Sequence, residues 1–367
     1  MSTMTIKEIC SFLEYLAPLD FQEDYDNAGL LTGDPGREAR NPLLCLDITP
    51  TVMEEAILKK SNLIIAHHPF LFRGMKKFIP GQPETEILKK AFIHDIAVYA
   101  IHTNLDNAME GLNAFLLQKL GINGYSVLAP KANLLKKLIT FCPAEHAEKV
   151  RQAIFDAGAG KIGHYDCCSF NLTGEGPFRA SEKANPFVGK KNSVHNEKEV
   201  RIEVIFPAYL ESQLLKSLLS SHPYEEVAYD IYPLNNNNNS VGAGLVGDLA
   251  KEVPVVDFLQ MVKKKLDVER IRHTQFKKSK IRRVAICSGS GAFLIPEARR
   301  SAADIFLTAD LKYHDFFLAD DNLVLADIGH YESEHWVKEW LYAALIEKFP
   351  NFAFLISEIN TNPVIYY

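Results

Sequence analysis

The residues best suited to chemistry lie at the end of a short apolar run near position 65. The run Leu63–Ala66 is typical of a buried strand, and His67, His68 and Pro69 follow it directly. Neighbouring side chains of a regular strand point to opposite faces, so two adjacent histidines can serve one site only where the strand ends. Pro69 favours such an end, because proline cannot continue a central strand. The two histidines are therefore either metal ligands or a packed, hydrogen-bonded pair, depending on their partners.

Two other segments place a histidine or a carboxylate just after an apolar run. Asp106 comes shortly after the strand predicted at residues 96–101, although capping a helix is an alternative role for it. His330 and Glu334 follow another predicted strand, and their spacing of four residues puts them on one face of a helix. Three strand ends with matching residue types favour a metal site over a coincidence.

The five side chains offer nitrogen and oxygen ligands without cysteine: His67, His68, Asp106, His330 and Glu334. Such a set suits zinc, manganese or iron, and five ligands exceed the four of a closed structural zinc site. Two divalent metal ions that share a carboxylate or a water would use all five. A pair of this kind lowers the pKa of bound water and binds a phosphate or carbonyl oxygen.

Other polar residues after strands are weaker candidates. His102 and His314 are candidates for proton transfer, with Asp310 as a supporting residue, and a structural role is the alternative for each. The Ser-Gly-Ser-Gly turn at residues 288–291 could receive a phosphate on its backbone N–H groups. It lacks the third glycine of a dinucleotide fingerprint and the lysine of a P-loop, so a plain strand-to-helix turn is the alternative.

The elements that must position these residues follow an α/β pattern at both ends of the chain. Strands predicted at residues 43–48, 63–66 and 96–101 alternate with helices, which indicates a parallel sheet, and the same alternation resumes after residue 242. In such sheets ligands bind beyond the carboxyl ends of the strands, where the candidate residues lie.

The middle of the chain has a different pattern. Strands and helices there follow the order β-α-β-β-α-β, which predicts an α+β ferredoxin-like unit. Five consecutive asparagines at 235–239 predict a mobile connector after it. We therefore expect three segments: 1–130 and 241–367 as halves of one α/β metal-binding domain, and 131–240 as an inserted ferredoxin-like domain.

Composition excludes several classes of protein. The 367 residues are enough for two domains, and the net charge of -6 argues against a nucleic-acid-binding surface. No stretch reaches the roughly 18 apolar residues of a membrane span, and the N-terminus lacks the pattern of a signal peptide. The six cysteines show no paired CxxC spacing, which favours free thiols in a cytoplasmic protein.

Six motifs together carry a family resemblance. They lie at residues 26–34, 66–70, 102–106, 288–291, 310–314 and 329–334. In this order they resemble the Nif-three-like proteins, which are often called GTP cyclohydrolase 1 type 2 homologues. The resemblance covers both α/β segments and implies a dinuclear metal site at the five ligand positions, with Glu334 as the bridging ligand.

The middle segment resembles the insert of the longer bacterial members of that family. The motifs that carry this resemblance lie at residues 158–160, 162–170, 184–187, 189 and 222–230. It implies a domain of the trimeric PII and CutA type, and a homohexamer of two stacked trimers with the metal sites facing an inner cavity. His222, Glu225 and Glu226 have the residue types of a second site, and packing at a strand end is the alternative.

Two functions follow from the candidate site and the resemblance. The first is a dinuclear-metal-binding protein that acts as a metal-dependent hydrolase of a nucleotide or a related phosphorylated small molecule. The alternative is a non-catalytic metal-binding ring that acts as a regulatory or scaffold protein. The substrate and the native metal stay open at this point.

Overall fold

A computed structural model describes residues 4–367 of the chain. The first helix of this part has a capping box at its N-terminus. Thr5 Oγ1 accepts the N–H of Glu8, and the Glu8 carboxylate accepts the N–H of Thr5. Ile6, Ile9 and Leu13 are buried along one side of this helix. Capping and an apolar stripe together fix where the helix begins and which side faces the core.

Strands and helices alternate through the first segment, as the apolar pattern predicted. The elements are α1 (Ile6–Leu16), β1 (Gly29–Thr32), β2 (Leu43–Cys45), α2 (Pro50–Leu58), β3 (Leu63–Ala66), α3 (Pro83–His94), β4 (Ala97–Ala100), α4 (Thr103–Asp106), α5 (Leu112–Lys119) and β5 (Tyr125–Lys131).

The middle segment forms a four-stranded antiparallel sheet with two helices. Its elements are β6 (Leu135–Pro143), α6 (Ala147–Asp156), β7 (Phe170–Arg179), β8 (Val194–Pro207), α7 (Glu211–Ser221) and β9 (Tyr229–Leu234). The strand order β7-β8-β6-β9 with this connectivity is the ferredoxin-like arrangement that was predicted. Strand β7 contains Gly174 and Gly176, which disfavour a strand locally, and its pairing with β8 overrides that preference.

The last segment returns to alternating elements. They are β10 (Asn238–Pro254), α8 (Val255–Lys265), β11 (Arg272–His273), β12 (Lys280–Ser290), α9 (Ile295–Arg300), β13 (Ile305–Ala309), β14 (Val324–Asp327), α10 (His330–Glu334), α11 (Val337–Lys348) and β15 (Leu355–Ile356). The predicted connector of five asparagines is partly wrong, since Asn238 and Asn239 already belong to β10.

The described residues group into two compact units. One unit contains the residues up to Pro130 together with Ser240–Tyr367, and the other is Lys131–Asn239. Ile64, Met53 and Val98 are fully buried in the first unit, while Val150, Phe206 and Leu218 form part of the core of the second. Each such side chain stabilises the fold by about 1.5–3 kcal/mol.

The first unit contains two sheets that position the candidate site. One has the order β1-β4-β3-β2-β15, in which β15 from the end of the chain pairs in parallel with β2. The other has the order β11-β14-β13-β12-β10-β5, with β12, β13 and β14 parallel. The candidate residues follow the carboxyl ends of parallel strands in both sheets, so both parts of the chain supply one site.

Candidate metal centre

The two adjacent histidines are held in place through their Nδ1 atoms. His67 is fully buried, and its Nδ1 lies 2.7 Å from the Ile101 carbonyl oxygen, to which it donates. His68 Nδ1 lies 2.7 Å from Asp47 Oδ1. These bonds leave the Nε2 atom of each ring available as a ligand on the same side.

The two oxygens of Glu334 connect the histidines to the rest of the predicted set. His67 Nε2 lies 3.6 Å from Asp106 Oδ1 and 4.0 Å from Glu334 Oε1. Glu334 Oε2 lies 2.9 Å from His68 Nε2 and 2.8 Å from His330 Nε2. The structure therefore brings the five predicted ligands together, with each Glu334 oxygen facing different partners.

Several polar atoms of this cluster are buried without a hydrogen bond. They are His67 Nε2, Asp106 Oδ1 and Glu334 Oε2. The short distances to Glu334 Oε2 do not have hydrogen-bond alignment, as expected of atoms that converge on a common point. Leaving one such group unsatisfied costs about 1–3 kcal/mol. Of the three atoms, Glu334 Oε2 is compensated in part by its ion pairs with His68 and His330. The nitrogen and oxygen donors fit one or more divalent cations.

Three aspartates each orient one histidine of the cluster. Asp47 binds His68, Asp310 Oδ2 lies 2.8 Å from His330 Nδ1, and Asp26 Oδ1 lies 2.8 Å from His102 Nδ1. A carboxylate bound to Nδ1 fixes the ring and strengthens the Nε2 atom as a ligand.

Asp310 was predicted as a supporting residue, whereas Asp26 and Asp47 were missed. Asp47 lies two positions after β2, as His68 lies two positions after β3, but the strand predicted at residues 43–48 included it. Asp26 begins the motif at residues 26–34, but nothing in that loop predicts its bond to His102.

The two candidates for proton transfer lie in different surroundings. The His102 ring is 5.2 Å from the rings of both His67 and His68, and the three offer ligand atoms within 4.8 Å of one another. His314 is exposed, its ring lies against Tyr313 and Phe317, and it does not line the cavity beside the cluster. Its predicted role in proton transfer is untested, and its position outside the cavity wall argues against that role.

The glycine-rich turn after β12 supports the cluster in a way the sequence did not predict. The N–H of Ser288 donates to Asn113 Oδ1 at 2.8 Å, and that of Gly289 donates to Ser333 Oγ at 2.9 Å. Neither group is free to receive a phosphate, so that interpretation is wrong for both. Gly289 has φ +61° and a Cβ there would lie 2.1 Å from Glu334 Oε1. Glycine is needed because the Glu334 carboxylate approaches the backbone.

Burial and close charges set the ionisation of the cluster without a metal. Burial raises the pKa of Asp106 well above its usual range, and the neighbouring Glu334 charge adds to this. Burial acts the same way on Glu334, but His330 and His68 outweigh it and hold its pKa well below the usual range. Burial lowers the pKa of His67 to about 3, so this ring is neutral and ready to bind a cation.

A cavity of about 430 Å³ opens beside the cluster. Its wall includes His68, Asp106 and Glu334, together with three aromatic side chains that are largely exposed: Tyr25, Phe72 and Phe293. A small molecule in this cavity would contact the aromatic side chains as well as the candidate ligands.

The second histidine–carboxylate group, in the unit Lys131–Asn239, is arranged differently. His222 Nε2 lies 2.9 Å from the Phe141 carbonyl oxygen, and the Tyr224 N–H donates to His222 Nδ1 at 3.1 Å. Glu225 accepts the N–H of Asn185 at 2.7 Å. Both ring nitrogens are satisfied within the fold, which supports the packing role for His222.

Comparisons with known proteins agree over the length of the chain. The family model DUF34/NIF3 (NGG1p interacting factor 3) matches residues 4–363. A Bacillus subtilis (strain 168) protein called GTP cyclohydrolase 1 type 2 homolog is 38% identical over 366 residues, covering 97% of each chain. A Staphylococcus epidermidis (strain ATCC 12228 / FDA PCI 1200) protein of the same name is 33% identical, covering 99% of this chain and 100% of its own.

A solved structure shows the same fold. A Bacillus cereus protein related to NIF3 matches with a TM-score of 0.85 and 36% identity, covering 100% of both chains. No helix in the described part of the chain is long and apolar enough to cross a membrane. With a family model along almost the whole sequence and relatives above 30% identity, the chain belongs to the DUF34/NIF3 family.

Proposed function

We propose that this protein binds two divalent metal ions and uses them to hydrolyse a nucleotide or a related phosphorylated small molecule. The observation that carries the proposal is the set of buried, unsatisfied ligand atoms on His67, Asp106 and Glu334. One ion would be held by His67, Asp106 and Glu334 Oε1, and the other by His68, His330 and Glu334 Oε2. Zinc, manganese and iron all suit these donors.

The residues around the ions have separate tasks. Bound divalent ions supply Lewis acidity and lower the pKa of water. Asp47 and Asp310 hold the ligand histidines in the required tautomer. His102, held by Asp26, has its ring beside the cluster and lines the cavity, so it can pass a proton to or from a bound substrate.

The aromatic wall of the cavity favours a substrate with a planar ring. Tyr25, Phe72 and Phe293 offer faces for stacking. Among the residues that the structure describes, no lysine or arginine lines this cavity, so a phosphate would depend on the ions for charge compensation. The names of the relatives, GTP cyclohydrolase 1 type 2 homolog, support a nucleotide substrate.

A substrate panel tests this function. Nucleotides, phosphoesters and cyclic amides would be assayed with manganese, zinc and iron, for the wild type and for Asp106→Asn. We expect turnover of at least one compound that depends on added metal and falls by about 100-fold or more in Asp106→Asn. Binding without turnover for every compound would contradict the hydrolase and favour the regulatory or scaffold alternative.

The assembly and compartment are part of the same proposal. By the resemblance of the middle segment to the inserts of longer bacterial members, we infer a homohexamer of two stacked trimers. Light scattering after gel filtration tests this, with the mass of six chains expected and that of one chain as the contradictory result. All six cysteines are free thiols, which supports a cytoplasmic location.

A further inference from the structure

The segment at residues 355–364 crosses between the two halves of the candidate metal centre. It begins as β15, which pairs with β2 of the first sheet. Ser357 then binds Glu55 of α2, with Oγ donating to Oε2 at 2.5 Å. We call residues 355–364 the crossing segment. Beyond Ser357 it contains no regular element, so side-chain contacts determine its path.

Two consecutive residues of the crossing segment bind the supports of different ligands. Thr361 Oγ1 donates to Asp47 Oδ2 at 2.5 Å, while the other oxygen of Asp47 binds His68. Asn362 Nδ2 donates to Glu332 Oε1 at 3.3 Å. Glu332 lies in α10, the helix that carries His330 and Glu334.

A second cavity, of about 510 Å³, shows that this segment borders the ligands themselves. His68, His330, Asn362 and Pro363 are among the residues that line it. The crossing segment therefore lies near two candidate ligands and also bonds the residues that support them.

We propose that Thr361 and Asn362 are positioning residues of the metal centre. Thr361 fixes the Asp47 carboxylate so that it orients His68, and Asn362 fixes α10 so that Glu334 stays between the two ion positions. This inference rests on the proposed metal site and adds residues that touch no ligand atom directly. The hydroxyl of Thr361 matters because a carboxylate held on both oxygens cannot rotate away from the histidine.

Cobalt binding provides a test with a readout other than turnover. The affinity for Co²⁺ and the visible absorption of the bound ion would be measured for the wild type, Thr361→Val and Thr361→Ser. We expect Thr361→Val to bind about 3- to 10-fold more weakly with a changed spectrum, a smaller effect than the about 10- to 100-fold typical of a direct histidine partner. Thr361→Ser keeps the hydroxyl and should stay within about twofold of the wild type.

A matched variant separates positioning from general stability. Ser357→Ala loosens the same segment at Glu55, away from the ligands, so it should lower the melting temperature but keep the wild-type Co²⁺ affinity and spectrum. Asn362→Ala provides an independent variant, with weaker Co²⁺ binding expected. A double variant with Asp47→Ala tests the route, because Thr361→Val should have no further effect once the Asp47 carboxylate is gone.

Different failures have different meanings. If the wild type binds no Co²⁺, the metal site and this inference both fall. If the wild type binds Co²⁺ and both Thr361→Val and Asn362→Ala retain its affinity and spectrum, the metal site stands and the positioning role is overturned. A full effect of Thr361→Val in the Asp47→Ala background would also overturn the proposed route through Asp47.

Discussion

Two histidine–carboxylate groups in this chain have similar residue types and opposite hydrogen-bond status. Around His222 both ring nitrogens and the Glu225 carboxylate have partners within the fold. Around His67, three buried polar atoms have none. Residue type alone therefore does not identify a metal site. What distinguishes the two groups is whether the fold already satisfies the atoms that a cation would bind.

The largest expected effect is on the bridging carboxylate. Glu334→Gln keeps the size of the side chain but removes the charge and one of the two oxygens shared by the ion positions. We expect metal content by mass spectrometry to fall from about two ions per chain to less than half an ion per chain, because both positions use Glu334. Glu225→Gln is the matched control in the second group and should keep the wild-type content. Equal metal content in both variants would remove the distinction between the groups.

The glycine after β12 gives a smaller, steric test. In Gly289→Ala the new Cβ would lie 2.1 Å from Glu334 Oε1, so the carboxylate must move. We therefore expect metal affinity to fall by at least about 10-fold. Gly121→Ala is the control, because Gly121 also has positive φ, +87°, but nothing lies within 4 Å of its Cβ. Both substitutions cost about 1–2 kcal/mol of backbone strain. A loss of metal in the Gly121 variant as well would show that strain, rather than contact with Glu334, is responsible.

His222, whose ring nitrogens are both hydrogen-bonded, should affect how the stability of the fold depends on pH. Burial lowers the pKa of His222, and the hydrogen bond to the Phe141 carbonyl offsets only part of this. Below about pH 6.5 the unfolded chain therefore takes up a proton that the folded chain resists, and stability falls as the pH falls. In His222→Gln the drop in melting temperature between pH 7.5 and 5.5 should be smaller than in the wild type, with metal content unchanged. The same pH slope in both proteins would contradict this assignment.

The smallest effect is expected at His314. A general acid or base contributes about 10²- to 10⁴-fold to a rate, but His314 is exposed and lies outside the cavity wall. We therefore expect His314→Ala to change turnover by less than about threefold, compared with His102→Ala as the larger loss in the same assay. A large loss of turnover in the His314 variant would contradict this expectation and show that a residue outside this cavity takes part in the reaction.

The sequence was informative where chemistry depends on strand ends. Parallel strands with carboxyl ends at one edge bring His67, His68 and Asp106 together, and i, i+4 spacing joins His330 to Glu334. The ferredoxin-like order of the middle segment could also be predicted, helped by the clear alternation of buried and more exposed residues in β8. These features depend on local pattern and on general rules of sheet topology.

What could not be predicted depends on contacts between distant parts of the chain. Asp26 lies in a loop and is identified only by its bond to His102. The role of Gly289 depends on a carboxylate that lies 45 positions later in the sequence, at Glu334. Thr361 reaches Asp47 only because β15 pairs with β2. No periodicity in a single sequence contains such information.

The most direct measurement of the central claim is an anomalous difference map from crystals of manganese-loaded or zinc-loaded protein at the metal absorption edge. We expect two peaks on either side of the Glu334 carboxylate, one near His67 and Asp106 and the other near His68 and His330. We expect no peak beside His222 and Glu225. A map with no density at Glu334, or with its strongest peak at His222, would contradict the proposed metal centre.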